Sequence, residues 1–382
     1  MDFESLFDIP IDDLHTPCYL TDARLLQKNT ALLKQIQQRT GCKILLAQKA
    51  FSMFSAYPLI RDDLAGTTAS GLFEAKLGRE HFGKEVHVFS PAYTQEDFTQ
   101  LLELCDHIVF NSFGQWKKYR QQVQDATRNI SCGIRINPGY AEVETDLYNP
   151  CISGSRMGVP LEQMEDDFAG LDGIHFHTMC EQNSDVLERT LDHMLPQFDK
   201  WLKRCKWVNF GGGHHITRPD YDVEQLVRCI ERVRDTYGVQ VYLEPGEAVA
   251  LNAGYLVATV LDVVHNGMDI AILDASAACH MPDVLEMPYR PHILYSGTAG
   301  EKAYTYRLAG NTCLAGDVIG DYSFDHQLQA GEKLVFCDMA IYSMVKNNTF
   351  NGVPLPDIAL YQNGHIDLVK RFGYADFEGR LS

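Results

Sequence analysis

The chain predicts an α/β fold: a closed (β/α)8 barrel of the TIM type, joined to a smaller, mainly antiparallel β domain of sandwich or barrel character. Three observations carry this. Eight short apolar, β-rich runs recur between residues 43 and 246, with helix-periodic stretches between most of them. After residue 250 the apolar runs are split instead by Gly, Pro and Asn. One more strand-like run, Thr16–Leu20, precedes the repeats and can join the later sheet.

Taken in order, Thr16-Pro17-Cys18-Tyr19-Leu20 reads as a strand, and Asp22 as the cap of a helix running to about Arg39, with Leu25, Leu26, Leu32, Leu33 and Ile36 on one face. The barrel strands are Lys43–Ala47, Ala65–Ala69, Val86–Ser90, His107–Asn111, Gly133–Asn137, Gly173–His177, Trp207–Phe210 and Gln240–Glu244. Thr94–Leu104, Ser184–Leu202 and Asp220–Tyr237 have the period of amphipathic helices. Strands alternating with helices imply a parallel sheet, and eight such units fit a closed barrel; an open doubly wound sheet is the competing arrangement. Leu256–Val264, Asp269–Leu273, Tyr304–Leu308 and Leu334–Cys337 supply the β domain. The expected division is 1–38 for a strand and helix contributing to the β domain, 39–252 for the barrel and 253–382 for the C-terminal β domain.

The 382 residues suffice for two such units with ample core. With 51 acidic against 33 basic residues, the formal charge is −18. That surface repels a nucleic-acid backbone and attracts cations, polyamines included, although acidity also serves plain solubility. The eleven cysteines are scattered with no C-x-x-C pair, which argues against a disulfide framework or a zinc ribbon and for a reducing cytoplasm. Met1-Asp2-Phe3-Glu4-Ser5 has neither the basic nor the apolar region of a secretory signal, and no apolar run is long enough to span a bilayer. The expectation is a cytoplasmic protein without nucleic-acid or membrane partners.

Active residues on such a barrel sit at the C-terminal strand ends. Gly211-Gly212-Gly213 follows the seventh strand, and Glu244-Pro245-Gly246-Glu247 ends the eighth. Glycines let backbone N–H groups approach a phosphate, and a carboxylate nearby can pair with a cationic ring. One ligand has both features, pyridoxal phosphate. Lys49, just past the first strand, can form an imine with its aldehyde if burial strips the amine of its proton. Glu244 would keep the ring nitrogen protonated, the condition for the ring to accept electrons. A solvated Lys49 and a helix-start Glu244 are the plain alternatives. His175 and His177 share a face; stacking on a flat cofactor, core packing and metal binding are all open to them, and His214-His215 keeps metal in view.

The ordered set of the Lys49 segment, His177, the glycine triplet, Glu244-Pro245-Gly246 and Asn311-Thr312-Cys313 with Asp317 resembles the alanine-racemase-fold (fold type III) pyridoxal phosphate decarboxylases, which act on ornithine, diaminopimelate and related basic amino acids. The likeness spans nearly the whole chain. Leu46-Ala47-Gln48-Lys49-Ala50-Phe51, Glu244–Glu247 and Cys313-Leu314-Ala315-Gly316-Asp317 resemble the branch acting on carboxylated polyamines such as carboxynorspermidine. The resemblance implies that Lys49 binds the cofactor aldehyde, His177 stacks on the ring, Gly212, Gly213 and Tyr342 hold the phosphate, and Glu244 meets the ring nitrogen. It implies that Cys313 is the acid that protonates Cα, reaching in from the second subunit of a homodimer; a buried apolar cysteine is the plain alternative. Glu247 departs from the arginine usual after Glu-Pro-Gly. Glu247 and Asp283 are therefore read as ligands for protonated nitrogens of a polyamine-like amino-acid substrate, with Asp317 a further substrate contact and no metal. Diaminopimelate decarboxylation, for which Arg290 could serve the second carboxylate, is the near alternative. A metal-dependent barrel hydrolase using His175, His177, His214 and His215, and a non-catalytic cofactor-binding regulator, are the distant ones.

Overall fold

The computed structural model describes residues 7–382, so the N-terminal Met1–Ser5 segment considered above lies outside the described residues. Two units emerge, one of residues 27–249 and one of residues 1–26 with 250–382. The division falls inside the first helix. All but its first turn belongs with the barrel unit, where the expectation had placed the helix with the β domain.

The helix is α1 (Ala23–Thr40), and it follows strand β1 (Cys18–Asp22). Asp22 starts it as expected: its carboxylate accepts from the Arg24 backbone N–H at 2.9 Å. The barrel strands are β2 (Lys43–Ala47), β3 (Gly66–Ala69), β4 (Glu85–Phe89), β5 (His107–Phe110), β6 (Ser131–Asn137), β8 (Gly173–His175), β9 (Trp207–Asn209) and β10 (Gln240–Leu243); a short β7 (Val159–Pro160) pairs only with β6. All eight are parallel, and the pairing of Tyr242 and Leu243 with Lys43 and Ile44 closes the ring. This is the expected closed barrel rather than the open sheet. Helices Gln95–Leu104, Ser184–Leu202 and Val223–Tyr237 match their sequence periodicity. The last begins three residues later than expected because Asp222 is its cap, accepting from Gln225 N–H at 2.9 Å.

The barrel interior is filled from the floor upward. Trp207 lies across the axis with Leu45, Val109 and Tyr242. It fits because strands β6 and β8 present Gly133 and Gly173 to it; a Cβ on Gly173 would stand 2.1 Å from the indole. At the floor Lys43 pairs with Glu85, whose other oxygen lies 3.2 Å from His87 Nε2 and 3.3 Å from the Tyr242 hydroxyl. The His87 and His107 rings stack at 3.9 Å. Glu85, His87 and His107 form the one group among the described residues with metal-ligand spacing, but Lys43 already holds its carboxylate.

The second unit is a nine-stranded sheet built on β1 together with β11 (Gly254–His265), β12 (Asp269–Leu273), β13 (Gly297–Thr298), β14 (Tyr304–Ala309), β15 (Val318–Phe324), β16 (Lys333–Cys337), β17 (Asp357–Gln362) and β18 (His365–Lys370). Only the β1–β17 and β12–β14 pairings are parallel, so the sheet is mainly antiparallel. β1 lies between β11 and β17, so the first strand does join the later sheet. Tyr19, Leu256, Leu308, Tyr322 and Phe336 anchor one side of its core.

Replacing Gly173 with Ala should cost about 1–3 kcal/mol through overpacking against Trp207. Urea unfolding should show this as a lowered midpoint, whereas Gly71→Ala, where nothing stands within 4 Å of a new Cβ, should leave the midpoint nearly in place.

Candidate active site

The C-terminal strand ends surround a cavity of about 580 Å³, within the usual range for a small-molecule site. Lys49, Phe89, Arg135, His175, His177 and Glu244 line it, together with much of segment 146–157. The sequence reading of Lys49, His177 and Glu244 at one mouth is therefore what the barrel builds. The turns carrying Lys49 and Glu244 touch directly. Ala47 N–H donates to the Pro245 carbonyl at 3.2 Å, and a Cβ on Gly246 would stand 2.6 Å from Ala50 Cβ, so glycine is required there.

Lys49 keeps an exposed surface toward the cavity, while protein surrounds it at longer range. That desolvation pulls its pKa below the ordinary lysine value; Arg135 adds repulsion and Glu244 opposes both. Glu244 is buried, and burial alone would raise its pKa. His175 and Asn209 more than offset this and bring it down to about 2. His175 Nε2 lies 3.1 Å from one carboxylate oxygen, and Asn209 Nδ2 donates to the other at 2.8 Å. Asn209 in turn accepts from Gly211 N–H at 2.9 Å, tying the carboxylate to the glycine turn.

His177 Nδ1 accepts from Gly212 N–H at 2.8 Å, which leaves its other nitrogen as the protonated one. Burial first, then Lys49 and Arg135, hold its pKa well below the usual histidine value, so the ring stays neutral. The glycine triplet packs closely on this strand end. A Cβ on Gly212 would meet the Glu244 carbonyl at 2.6 Å, and Gly213, at φ +83°, would meet the Met179 carbonyl at 2.0 Å. Close approach of its own backbone already demands these glycines.

Arg135 was not singled out in the sequence. It is 4% exposed, its guanidinium lies 4.6 Å above the Phe89 ring, and it donates to the His177 carbonyl at 3.3 Å. Burial lowers its pKa to about 10, which still leaves it charged at neutral pH. A polar residue flanked by apolar ones in a barrel strand is the signal that could have found it: Arg135 stands between Ile134 and Ile136, and Asn209 between Val208 and Phe210. The four histidines of the metal alternative do not converge. His175 faces Glu244, His177 faces Gly212, His214 Nε2 lies 3.4 Å from the Phe210 carbonyl, and His215 Nε2 lies 3.2 Å from Glu247.

Glu247 thus faces a histidine, His215, that the sequence did not place beside it. Burial lowers the His215 pKa, but its pairing with Glu247 outweighs this and the net shift is upward. The remaining expected residues lie in the β-sheet unit. Asp283 pairs with Lys346. Asp317 is 2% exposed and accepts from Ser276 Oγ at 2.8 Å, Thr312 Oγ1 at 2.7 Å and Ala278 N–H at 3.2 Å. These contacts make it the holder of the loop bearing Cys313 rather than a free ligand. Cys313 is exposed, not buried, and its N–H donates to Asn351 at 2.8 Å. Tyr342 has a left-handed backbone at φ 50°.

Pyridoxal phosphate fits the barrel residues. A desolvated amine with no hydrogen bond of its own among the described residues, an ionised carboxylate and a flat neutral imidazole share one cavity, and Arg135 adds a positive charge suited to an anionic ligand. Gly212 N–H is spent on His177 and would have to change partner to meet a phosphate.

Residues 18–340 match the family model described as pyridoxal-dependent decarboxylase, C-terminal sheet domain. The chain is 42% identical to a carboxynorspermidine/carboxyspermidine decarboxylase of Campylobacter jejuni, covering 97% of this chain and 99% of that protein. It is 41% identical to a carboxyaminopropylagmatine decarboxylase of Synechocystis, covering 97% and 96%. The crystal structure of the Campylobacter jejuni carboxynorspermidine decarboxylase complexed with norspermidine superposes with a TM-score of 0.89 at 40% identity, covering 96% of this chain and all of that one.

Burial drives His214 from an ordinary 6.5 down to about 4. Its folded pKa lies below its unfolded one, so the unfolded chain takes up the proton first. The stabilisation from the neutral ring is complete above 6.5 and shrinks as pH falls toward 4. Urea midpoints measured across that window should fall with pH, and His214→Gln should flatten the fall.

Proposed function

The chain belongs to the pyridoxal-dependent decarboxylase family, and on that premise we propose that it removes the α-carboxylate of carboxynorspermidine or carboxyspermidine, releasing norspermidine or spermidine in polyamine biosynthesis. The observation that carries this is full-length similarity to enzymes that act on carboxylated polyamine chains, combined with a barrel cavity that holds Lys49, His177 and Glu244 together. Pyridoxal phosphate, when bound, supplies an aldehyde that captures amines and a protonated ring that takes up the electron pair left at Cα as CO₂ departs.

The chain's own residues do the rest. Lys49 offers its amine to the aldehyde, favoured by the desolvation that lowers its pKa. Glu244 places a fixed negative charge where the ring nitrogen needs one. His177 offers a flat, neutral face, and Gly212, once its N–H leaves His177, would hold the phosphate together with Gly213 and Tyr342. Cys313 delivers the proton that replaces CO₂ at Cα, its Sγ–H bond breaking as the new C–H bond forms. Asp317 fixes the loop that carries it. Cys313 acts from the second subunit of a homodimer, and the enzyme works in the cytoplasm; among the described residues no helix is long and apolar enough to cross a membrane. Glu247 and Asp283 receive protonated substrate nitrogens, each exchanging its present partner, His215 or Lys346, for the ligand.

A second reading is favoured by the Synechocystis relative: a carboxylated chain ending in a guanidinium rather than an amine. CO₂ release measured side by side from carboxynorspermidine, carboxyspermidine, carboxyaminopropylagmatine and diaminopimelate separates these. The expected result is a kcat/KM for one of the first two at least about tenfold above the others, a difference of about 1.4 kcal/mol in transition-state binding. Preference for the guanidinium chain would establish the second reading, and preference for diaminopimelate would overturn both. Glu247→Gln should raise KM strongly while changing kcat less; an unchanged KM would remove Glu247 from the substrate site.

A further inference from the structure

We propose that His175 is a positioning residue that keeps Glu244 ionised without cancelling its charge, and thereby sets the protonation of the heterocyclic nitrogen this carboxylate meets. The inference rests on the reading of Glu244 as the ring-nitrogen partner.

The geometry fixes which proton His175 carries. An ionised carboxylate only accepts, so the nitrogen 3.1 Å from it, Nε2, must carry the hydrogen. The lone pair is then on Nδ1, which is buried and has no partner among the described residues. A second proton on Nδ1 would point at nothing that accepts it, so a charged ring at this position would lose its hydration without compensation. The groups around it work in the same direction. His175 is 2% exposed and stacks on Phe89 at 5.6 Å, and the Arg135 guanidinium also lies against that ring. Arg135 and Lys49 both disfavour further positive charge on His175, and only Glu244 favours it. Burial is the largest influence, and the net result is a neutral imidazole.

A neutral donor does what a cation could not. Lysine or arginine at position 175 would also keep Glu244 ionised, but would take up its negative charge and leave little for a ring N–H⁺. An apolar side chain would leave one carboxylate oxygen buried without a donor, because Asn209 serves only the other, and would let Glu244 take a proton itself. Two neutral hydrogen bonds, one per oxygen, stabilise the charge and leave it free to act.

The test is the chemical shift of ¹⁵N-labelled pyridoxal phosphate in the reconstituted holoenzyme, followed against pH in the parent, His175→Phe, His175→Gln and Glu244→Gln. The ring nitrogen of the Phe variant should lose its proton about one pH unit or more below the parent. The Gln variant, whose amide can donate from the place of Nε2, should return toward the parent. Steady-state assays should show kcat down about tenfold in the Phe variant, with KM little changed. Should the Phe variant not fold, His175→Ser, too short to reach Glu244, reads the same shift. A Phe or Ser variant that titrates with the parent, or a Gln variant that behaves like Phe, overturns the role of His175. A Glu244→Gln enzyme that titrates with the parent overturns the reading of Glu244 and this inference with it. A shifted Glu244→Gln beside an unshifted His175 variant overturns only the present one.

Discussion

The register that pairs Tyr242 and Leu243 with Lys43 and Ile44 closes eight parallel strands into a ring, and the placement of every barrel site residue follows from that closure. In a parallel barrel all C-terminal strand ends face one mouth, so the residues just beyond β2, β8, β9 and β10 meet although they are far apart in sequence. Alternation does the rest. Lys43 and Tyr242 point inward at the floor, and Glu244, two residues after Tyr242, points inward one layer higher. Shifting either strand by one residue would turn these side chains to the outside. Closure also explains the glycines of β6 and β8. A ring of eight strands has room for one indole across its axis only if its neighbours lack side chains, and Trp207 faces Gly133 and Gly173.

The chemistry of the mouth is an imbalance of charge in a dry place. Glu244 and Arg135 stay ionised there, Lys49 is an amine whose pKa burial lowers, and the imidazoles between them are held neutral by burial. Such a cavity suits an anionic ligand that itself carries a ring proton. The β-sheet unit brings a different inventory, with an exposed thiol on a loop pinned by a buried carboxylate.

Much of this was legible in the sequence because the strands are short apolar runs with abrupt polar ends, and the chemistry sits at those ends. Lys49, His177 and Glu244 could be placed at one mouth from strand counting alone. What escaped depends on contacts distant in sequence. Arg135 shows in the sequence only as a charge between two apolar strand residues, and its place against Phe89 and the His177 carbonyl needs the barrel. The odd carboxylate Glu247 could be seen, but not that His215 would face it. β15 was missed because Gly320, Asp321 and Ser323 interrupt its apolar pattern, and β18 because it is a largely exposed edge strand with no buried face to impose alternation. The first helix was placed with its neighbouring strand, whereas all but its first turn groups with the barrel unit.

The central claim is that the Lys49 amine is the group that captures the cofactor. Borohydride reduction of the cofactor-loaded protein, followed by proteolysis and mass spectrometry, tests it most directly. The pyridoxyl mass should appear on the peptide containing Lys49 and on no other; its appearance on a different lysine, or on none, would contradict the account.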